Sequence, residues 1–525
     1  MSGVFQSVRS ASPGRSVFNL SYEKKFTCDM GQLIPVMCDE MVPGDKFNIG
    51  NQMIIRFQPL VAPILHEINV FCHYFFVPYR LLWTDWEKFI TGGEDGTFTA
   101  SLPRWTPTSN AVGSLWDYMG MPTGVTPPNR LPLDFPKRAY NFIWNSFYRD
   151  ETLQTALDIN TSDTILRRAW EKDYFTSSLP WQQRGIAPAL PISGMTSAHW
   201  NSDLLVGGGT YNLKVTRNAT EQNVIAAAAS GSIILDVKSD GATAALSNTN
   251  LHTAVPQTTI PSASLNNNVV DLSSATTFNV SDLRLAFQVQ KWLERNARGG
   301  ARYVEFLRSH FGVSPRDDRL QRPEYIGGSK SPVIISEVLQ TAGTGVTGQT
   351  TPQGNMAGHG ISVNQSHCAS YYAQEFGVVT GLMSVMPRTA YQQGINRQWL
   401  RQTKYDFYFP EFANLSEQAI EGAEIYASNT PADNISVFGY QGRYDEMRYK
   451  PNLVCGQLRD TYDYWHLGRQ FTSKPLLNDS FIQCVPRKDV FAAQSEPALI
   501  VQFGNLIKAV RPLPRLAEPG LIDHN

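Results

Sequence analysis

The sequence predicts a mainly-β protein: a β-sandwich carrying long insertions, some of them helical. Three observations lead there. Strand signals gather toward both ends of the chain, helical periods and Gly-rich stretches lie between them, and a central block changes composition altogether. That layout fits one sandwich whose first and last strands pair, and not a row of serial domains.

The first strand signals are 51–60 and 68–77, the latter reading INVFCHYFFV. Both alternating faces of 68–77 are mainly apolar or aromatic, as in a strand buried on both sides, and Pro78 closes it. A short helix should follow, with Thr84 and Glu87 at capping-box spacing and Gly92-Gly93 as its stop. A second helix begins after Asp134 and Pro136 and carries Ala139, Phe142, Ile143 and Phe147 on a helical period. From 203 to 278, Gly207-Gly208-Gly209, a run of alanines and many Ser, Thr and Asn replace the aromatics. Such a composition buries little apolar area. It reads as an inserted, solvent-facing excursion with some β structure at 211–215 and 232–237. The clearest helix covers 282–311, with Leu285, Val289, Trp292, Leu293, Val304 and Leu307 as apolar positions and Gly299-Gly300 breaking it in two. A Gly-, Ser- and Thr-rich stretch occupies 327–360. Strand signals return at 377–385, at 403–412 with Tyr405, Phe407 and Phe409 on one face, at 481–485, and at 499–510 with Leu499, Val501 and Phe503 aligned. The Pro-rich tail 511–520 must be extended. The organisation expected is 1–202, an insertion at 203–280, and 281–525.

Bulk properties narrow the function classes. With 525 residues and 42% apolar content, wholesale disorder is excluded. Charged residues are 17%, against about a quarter in an ordinary domain, and aromatics reach 11%. Few charges and many aromatics describe a surface largely covered by partners, although a big aromatic enzyme core gives a similar figure. The net charge of −1 excludes a bulk basic nucleic-acid binder. Phosphate contact would fall to local patches. Arg9, Arg15, Lys24 and Lys25 precede every acid except Glu23; Lys508, Arg511 and Arg515 form a second group; solvated tails are the plain alternative for both. Six cysteines with no CxxC point to reduced, mostly buried thiols. The N-terminus MSGVFQSVRS lacks a signal-peptide core and no run is long and apolar enough for a bilayer, so a soluble protein assembled in the cytoplasm is expected.

Signs of chemistry are scarce. Gly327-Gly328-Ser329-Lys330-Ser331 has Ser where a phosphate loop requires Gly, and no GxGxxG after a strand, HExxH or GxSxG occurs. His359, His367 and Cys368 fit no common zinc spacing. Asp406, Glu411, Asp445 and Glu446 could serve a two-carboxylate glycoside hydrolase, but nothing singles out a pair. A polysaccharide-degrading or carbohydrate-binding β-protein and a non-viral shell protein remain the competing classes.

Longer blocks carry a resemblance. FNLSYEKK from Phe18, MGQLIP from Met30 and HYFFVPYRLLW from His73 look like the opening of the major capsid proteins of gokushoviruses (Microviridae, small icosahedral single-stranded-DNA bacteriophages). LRLAFQ from Leu283, Gly299-Gly300, RSHFGV from Arg308 and RLQRPEY from Arg319 match a hallmark of that family. YQQG from Tyr391, YDFYFP from Tyr405, FGYQ from Phe438, RYKP from Arg448 and PGLIDH from Pro519 are similar as well. The matches run in order over nearly the whole chain outside 203–278; only 506–516 follows the family loosely.

The resemblance implies an eight-stranded viral jelly roll and a structural role with no enzyme activity, cofactor or metal. It implies sixty copies in a T=1 icosahedron around a circular single-stranded DNA genome. Internal scaffolding and DNA-pilot proteins and a host surface receptor would be partners, without membrane insertion. The protein would reside in the virion after assembly in the bacterial cytoplasm. The insertion 203–280 would form protrusions at the threefold axes for host attachment. An N-terminal arm lining the shell interior would make Arg9, Arg15, Lys24 and Lys25 the DNA-contact candidates.

Overall fold

The computed structural model describes residues 14–188, 280–339 and 356–516, with short strand segments at 213–217, 220–224, 345–346 and 349–350. The chain divides into one unit made of Met1–Ile186 with Lys291–Asn525 and another made of Ala187–Gln290.

The first unit is built on β1 (Ser16–Asn19), β2 (Tyr22–Cys28), β3 (Ile34–Met41), β4 (Lys46–Phe57), β5 (Ile68–Pro78), β6 (Glu324–Pro332), β7 (Ile334–Leu339), β8 (Met356–Tyr372), β9 (Gly377–Pro387) and β10 (Leu499–Arg511). These form one antiparallel sheet in the order β1-β10-β4-β8-β6-β5-β9-β3, with β2 also on β10 and β7 also on β8. The short β1 and β2 run along one edge of β10, and only Val333 separates β6 from β7. Ten segments thus make eight strand lines, the number expected. The sheet curls into a half-barrel whose two ends approach each other: the Asn505 side-chain amide on β10 donates to the Val36 carbonyl of β3 at 2.9 Å. The first and last strands do pair, as the layout of the sequence implies.

Alternation along the strands separates two layers of core. From β5, Ile68, Val70, Cys72, Tyr74 and Phe76 enter a cluster shared with Phe47, Ile49, Met53 and Ile55 of β4 and Val501 and Phe503 of β10. Phe75 and Val77 enter a second cluster on the opposite side, capped by α1 (Tyr79–Leu82), α2 (Trp86–Thr91), α3 (Leu115–Tyr118) and α4 (Phe135–Ile143). Every residue of β9 is buried for the same reason. Gly381 is required there: a Cβ would lie 2.8 Å from the Tyr74 ring and 3.0 Å from Met37 Cβ. The predicted strand at 68–77 is therefore buried on both faces, as read.

The helices are placed as predicted, with different caps in detail. α2 starts at Trp86 behind Asp85, with no side-chain cap bond, so Thr84 and Glu87 do not form a capping box; Gly92 ends it at φ +81°. α4 has Pro136 in its first turn, and Asp134 pairs with Lys137 at 3.0 Å and Arg138 at 2.8 Å, placing a carboxylate at the helix N-terminus. A π-helical turn, Trp144–Tyr148, continues it. The long helix is two, α5 (Val280–Gly299) and α6 (Tyr303–Phe311), broken where the glycines predict. In the unit Ala187–Gln290, Leu213–Arg217 and Thr220–Val224 pair as an antiparallel hairpin, while 232–237 lies outside the described residues.

Two strand expectations fail. Residues 403–412 fold as two 3₁₀ turns, Lys404–Asp406 and Pro410–Phe412, because the Asp406 carboxylate accepts from the Thr403 and Gln402 amides (2.7 and 3.0 Å) and no neighbouring strand offers a ladder. Residues 481–485 overlap a helical turn, Asp479–Ile482, capped by Asn478, whose side-chain oxygen accepts from the Phe481 amide at 3.0 Å. Conversely, the Gly/Ser/Thr-rich 327–360 supplies most of β6, all of β7 and the start of β8. These strands are specified by polar cross-links and not by an apolar pattern. Asn51, fully buried on β4, donates to Ser329 and accepts from Ser366, each at 2.9 Å, and Ser370 donates to Asn48 at 2.8 Å.

Candidate assembly and nucleic-acid surfaces

The four basic residues singled out near the N-terminus have different fates. Arg9 lies outside the described residues. Arg15 donates to the Tyr372 hydroxyl at 3.3 Å and sits over its ring. Lys25 is exposed, 3.9 Å from Glu23. Lys24 faces the seam where the sheet ends meet and donates to the Pro35 carbonyl at 2.8 Å and to the Tyr118 carbonyl. Burial pushes its ammonium down to about 8. Alternation on β2 accounts for the contrast, since 24 and 25 point to opposite faces.

The sites considered for catalysis do not assemble. His359 and His367 lie on β8 eight positions apart along the strand, roughly 26 Å. Among the described residues no group of His, Cys, Asp and Glu converges as a metal site. Asp406 is spent on its turn, Asp445 pairs with Arg448, and buried Glu446 accepts from Gln418 at 2.8 Å. The near-miss phosphate loop is extended backbone of β6, with Lys330 3.6 Å from Glu171. Burial raises the thiols of Cys28, Cys72 and Cys484 well above their ordinary value, as suits inert core cysteines, and all six are free.

Two surfaces stand out instead. The first is an aromatic belt. Trp399 is 75% exposed, and Tyr405, Phe407, Tyr408 and Phe409 are each about half exposed. The last four form one surface: Tyr444 donates to the Phe407 carbonyl at 3.0 Å and packs on Tyr408 with centroids 5.1 Å apart, Arg443 donates to the Tyr405 carbonyl at 2.9 Å, Arg401 lies 5.0 Å from the Phe407 ring, and Tyr405 and Phe409 both pack on Phe412. Taking ~200 Å² per ring, these four expose roughly 400 Å². That is within the range for the largest apolar patch of a monomer, where such patches mark interaction sites. The sequence does contain this run, but an alternating aromatic pattern also describes a strand, and it was that period which misleads.

The second surface is a cleft of about 940 Å³ beside β5. Arg168, Lys172, Arg322, Arg388 and Lys450 line it, against three carboxylates, Glu171, Asp173 and Asp317. Those carboxylates are engaged: Asp317 by Arg322 at 2.6 Å, Asp173 by the Tyr391 hydroxyl at 2.7 Å, Glu171 by Lys330. Lys172 is held by Asp150 at 2.6 Å and Arg388 by Glu67 at 2.9 Å. Arg168 has no ion pair among the described residues. Its guanidinium donates to Ser384 at 3.1 Å and lies 4.3 Å from the Phe71 ring centroid and 5.7 Å from that of Tyr148. Burial lowers its pKa, so the cation is held there at a cost. Burial and the Arg168 charge push His73 down to about 4, leaving it neutral, with Nδ1 2.7 Å from the Tyr148 hydroxyl. Sequence reasoning missed this cleft because its residues come from segments far apart along the chain.

The comparisons agree on one family. A model described as "Capsid protein (F protein)" matches residues 6–521. The chain is similar to capsid protein VP1 of Chlamydia phage 1, at 35% identity over 99% of this chain and 98% of that protein. It is also similar to capsid protein VP1 of Bdellovibrio phage phiMH2K, at 34% over 98% and 97%, and of Spiroplasma virus 4, at 30% over 97% and 95%.

Proposed function

The chain belongs to the capsid protein (F protein) family, and from that premise we propose that it is the repeating subunit of a T=1 icosahedral shell enclosing a circular single-stranded DNA genome. It is a structural component of the virion and not an enzyme. The observation that carries the shell reading is the aromatic belt around Phe407. A chain that leaves four large rings half exposed gains by covering them, and in a closed shell each modest contact is repeated around the symmetry axes. The insertion 203–280 is read as the host-attachment protrusion, since its small, polar composition suits exposure and contributes little to a core. Internal scaffolding and DNA-pilot proteins are the partners this reading calls for. Of the basic N-terminal candidates, Arg9, Arg15 and Lys25 suit contact with the enclosed DNA better than Lys24, which is already committed to two carbonyls.

Electron microscopy and sedimentation of the chain co-expressed with its scaffolding partner test the proposal. Uniform small icosahedra holding nuclease-protected DNA are expected. Only monomers under varied salt and pH would sink it. Exchanging 203–280 for another phage's segment should leave assembly intact and change adsorption.

A further inference from the structure

We propose that the cleft beside Arg168 is a nucleotide site, taking one phosphate and the adjoining bases of single-stranded nucleic acid. The inference deepens the genome-enclosing reading and rests on it for the identity of the polymer. Three features of the cleft carry it.

The first is an uncommitted cation. Lys172, Arg322 and Arg388 each pair with a carboxylate, whereas Arg168 has a hydroxyl and two ring faces as its direct contacts and feels Glu171, itself paired with Lys330, only at longer range. Phe71 and Tyr148 hold the guanidinium in place, and a planar, pre-oriented guanidinium is suited to bidentate contact with a phosphate. Lys450, at the rim, has one 3.4 Å contact with the Gln398 side chain and adds a second positive charge. The second feature is aromatic surface that the fold leaves uncovered. Tyr325 is 49% and Tyr449 61% exposed, and both line the cleft. Every base has a π face, so exposed rings next to a phosphate-binding cation form a sequence-tolerant platform. The third is polar groups for base edges: Thr389 and Asn452 are on the wall, and the Asn452 amide already donates to the Thr389 carbonyl at 2.9 Å, which leaves its oxygen as an acceptor. An acidic peptide would use the cations but not the rings, so nucleic acid is the occupant the cleft favours.

The test uses the full, unassembled chain and a short fluorescein-labelled oligothymidylate, read by fluorescence anisotropy. Arg168→Gln should weaken binding about 10-fold, the value of one charge-assisted contact, with Arg168→Lys recovering part of it and all variants keeping the wild-type melting temperature within a few degrees. Tyr449→Ala should weaken binding about 10-fold as well, with an unchanged salt slope, because stacking releases no counterions. Photo-crosslinking with an iodouracil-containing oligonucleotide needs no variant; it should map to peptides holding Tyr325 or Tyr449. Crosslinks elsewhere, wild-type affinity in Arg168→Gln, or displacement by polyglutamate at equal charge would each overturn the proposal. Nuclease-protected DNA in wild-type particles, with the cleft variants binding normally, sinks the cleft and leaves the shell. Crosslinks in the cleft with no DNA in the particles support the cleft and sink the shell reading.

Discussion

β5 and the aromatic belt use the same side chains in opposite surroundings. Tyr74, Phe75 and Phe76 are covered by strands on one side and helices on the other, whereas Phe407, Tyr408 and Phe409 stand half in water on 3₁₀ turns. The difference is not in the rings but in what the backbone does. β5 is laddered on both edges by β6 and β9, and its two faces are covered by the strand core on one side and α1 to α4 on the other. The 403–412 run is diverted into turns by Asp406 and Pro410 and leaves its rings outside any layer. Apolar surface in this molecule therefore serves two ends: holding the chain together in β5, and, on the proposed reading, holding chains to one another in the belt.

That contrast can be broken by substitution, starting with the largest effect on folding. Phe76→Ala removes a fully buried ring that packs 4.7 Å from Tyr371, and should cost ~3–5 kcal/mol in denaturant unfolding of the unassembled chain. Asn51→Ala strands the Ser329 and Ser366 hydroxyls in the sheet and should cost about 1–3 kcal/mol. The double change Phe407→Ser and Phe409→Ser should leave unfolding within ~1 kcal/mol of wild type yet abolish particles by sedimentation. If particles persist, the belt is not an assembly surface. Equal destabilisation by the belt and β5 changes would erase the distinction altogether.

The smallest effect concerns Lys24. Its folded pKa of about 8 lies below the ordinary lysine value of 10.5, so between those pH values the unfolded chain binds more protons. This group's contribution to stability therefore rises with pH across that window, is full above it, and is lost as pH falls through about 8. Relative to Lys24→Met, the wild-type melting temperature should climb from pH 8 to 10. Parallel curves would mean that Lys24 is solvated and free for phosphate.

Much of this was legible in the sequence where burial and periodicity coincide. β5 could be placed from a run apolar on both faces and closed by Pro78, β10 from alternating apolar residues, and the break between α5 and α6 from two glycines. β8 was not, because its pairing is carried by Asn and Ser cross-links that look like a loop in isolation. The belt could be seen as residues but not as a surface, since alternation does not reveal whether a second layer exists. The cleft could not be seen at all: Arg168, Tyr325 and Tyr449 become neighbours only after β5, β6 and β9 have paired. The family blocks, by contrast, carried the identity almost end to end.

The sheet's register also bears on how the chain is made. Ser16 lies opposite Arg511, and β4 waits for β10 along its whole length. At ribosomal rates of ~5–20 residues per second, roughly 20–90 s pass between the emergence of β4 and that of its partner. Until β8 emerges both edges of β4 are unpaired, and from then until β10 emerges one remains open, so a crowded polysome of this messenger brings many identical open edges together. Pairing between neighbours at that stage would yield aggregates, not subunits, and expression should improve when translation initiates slowly enough to keep nascent chains apart.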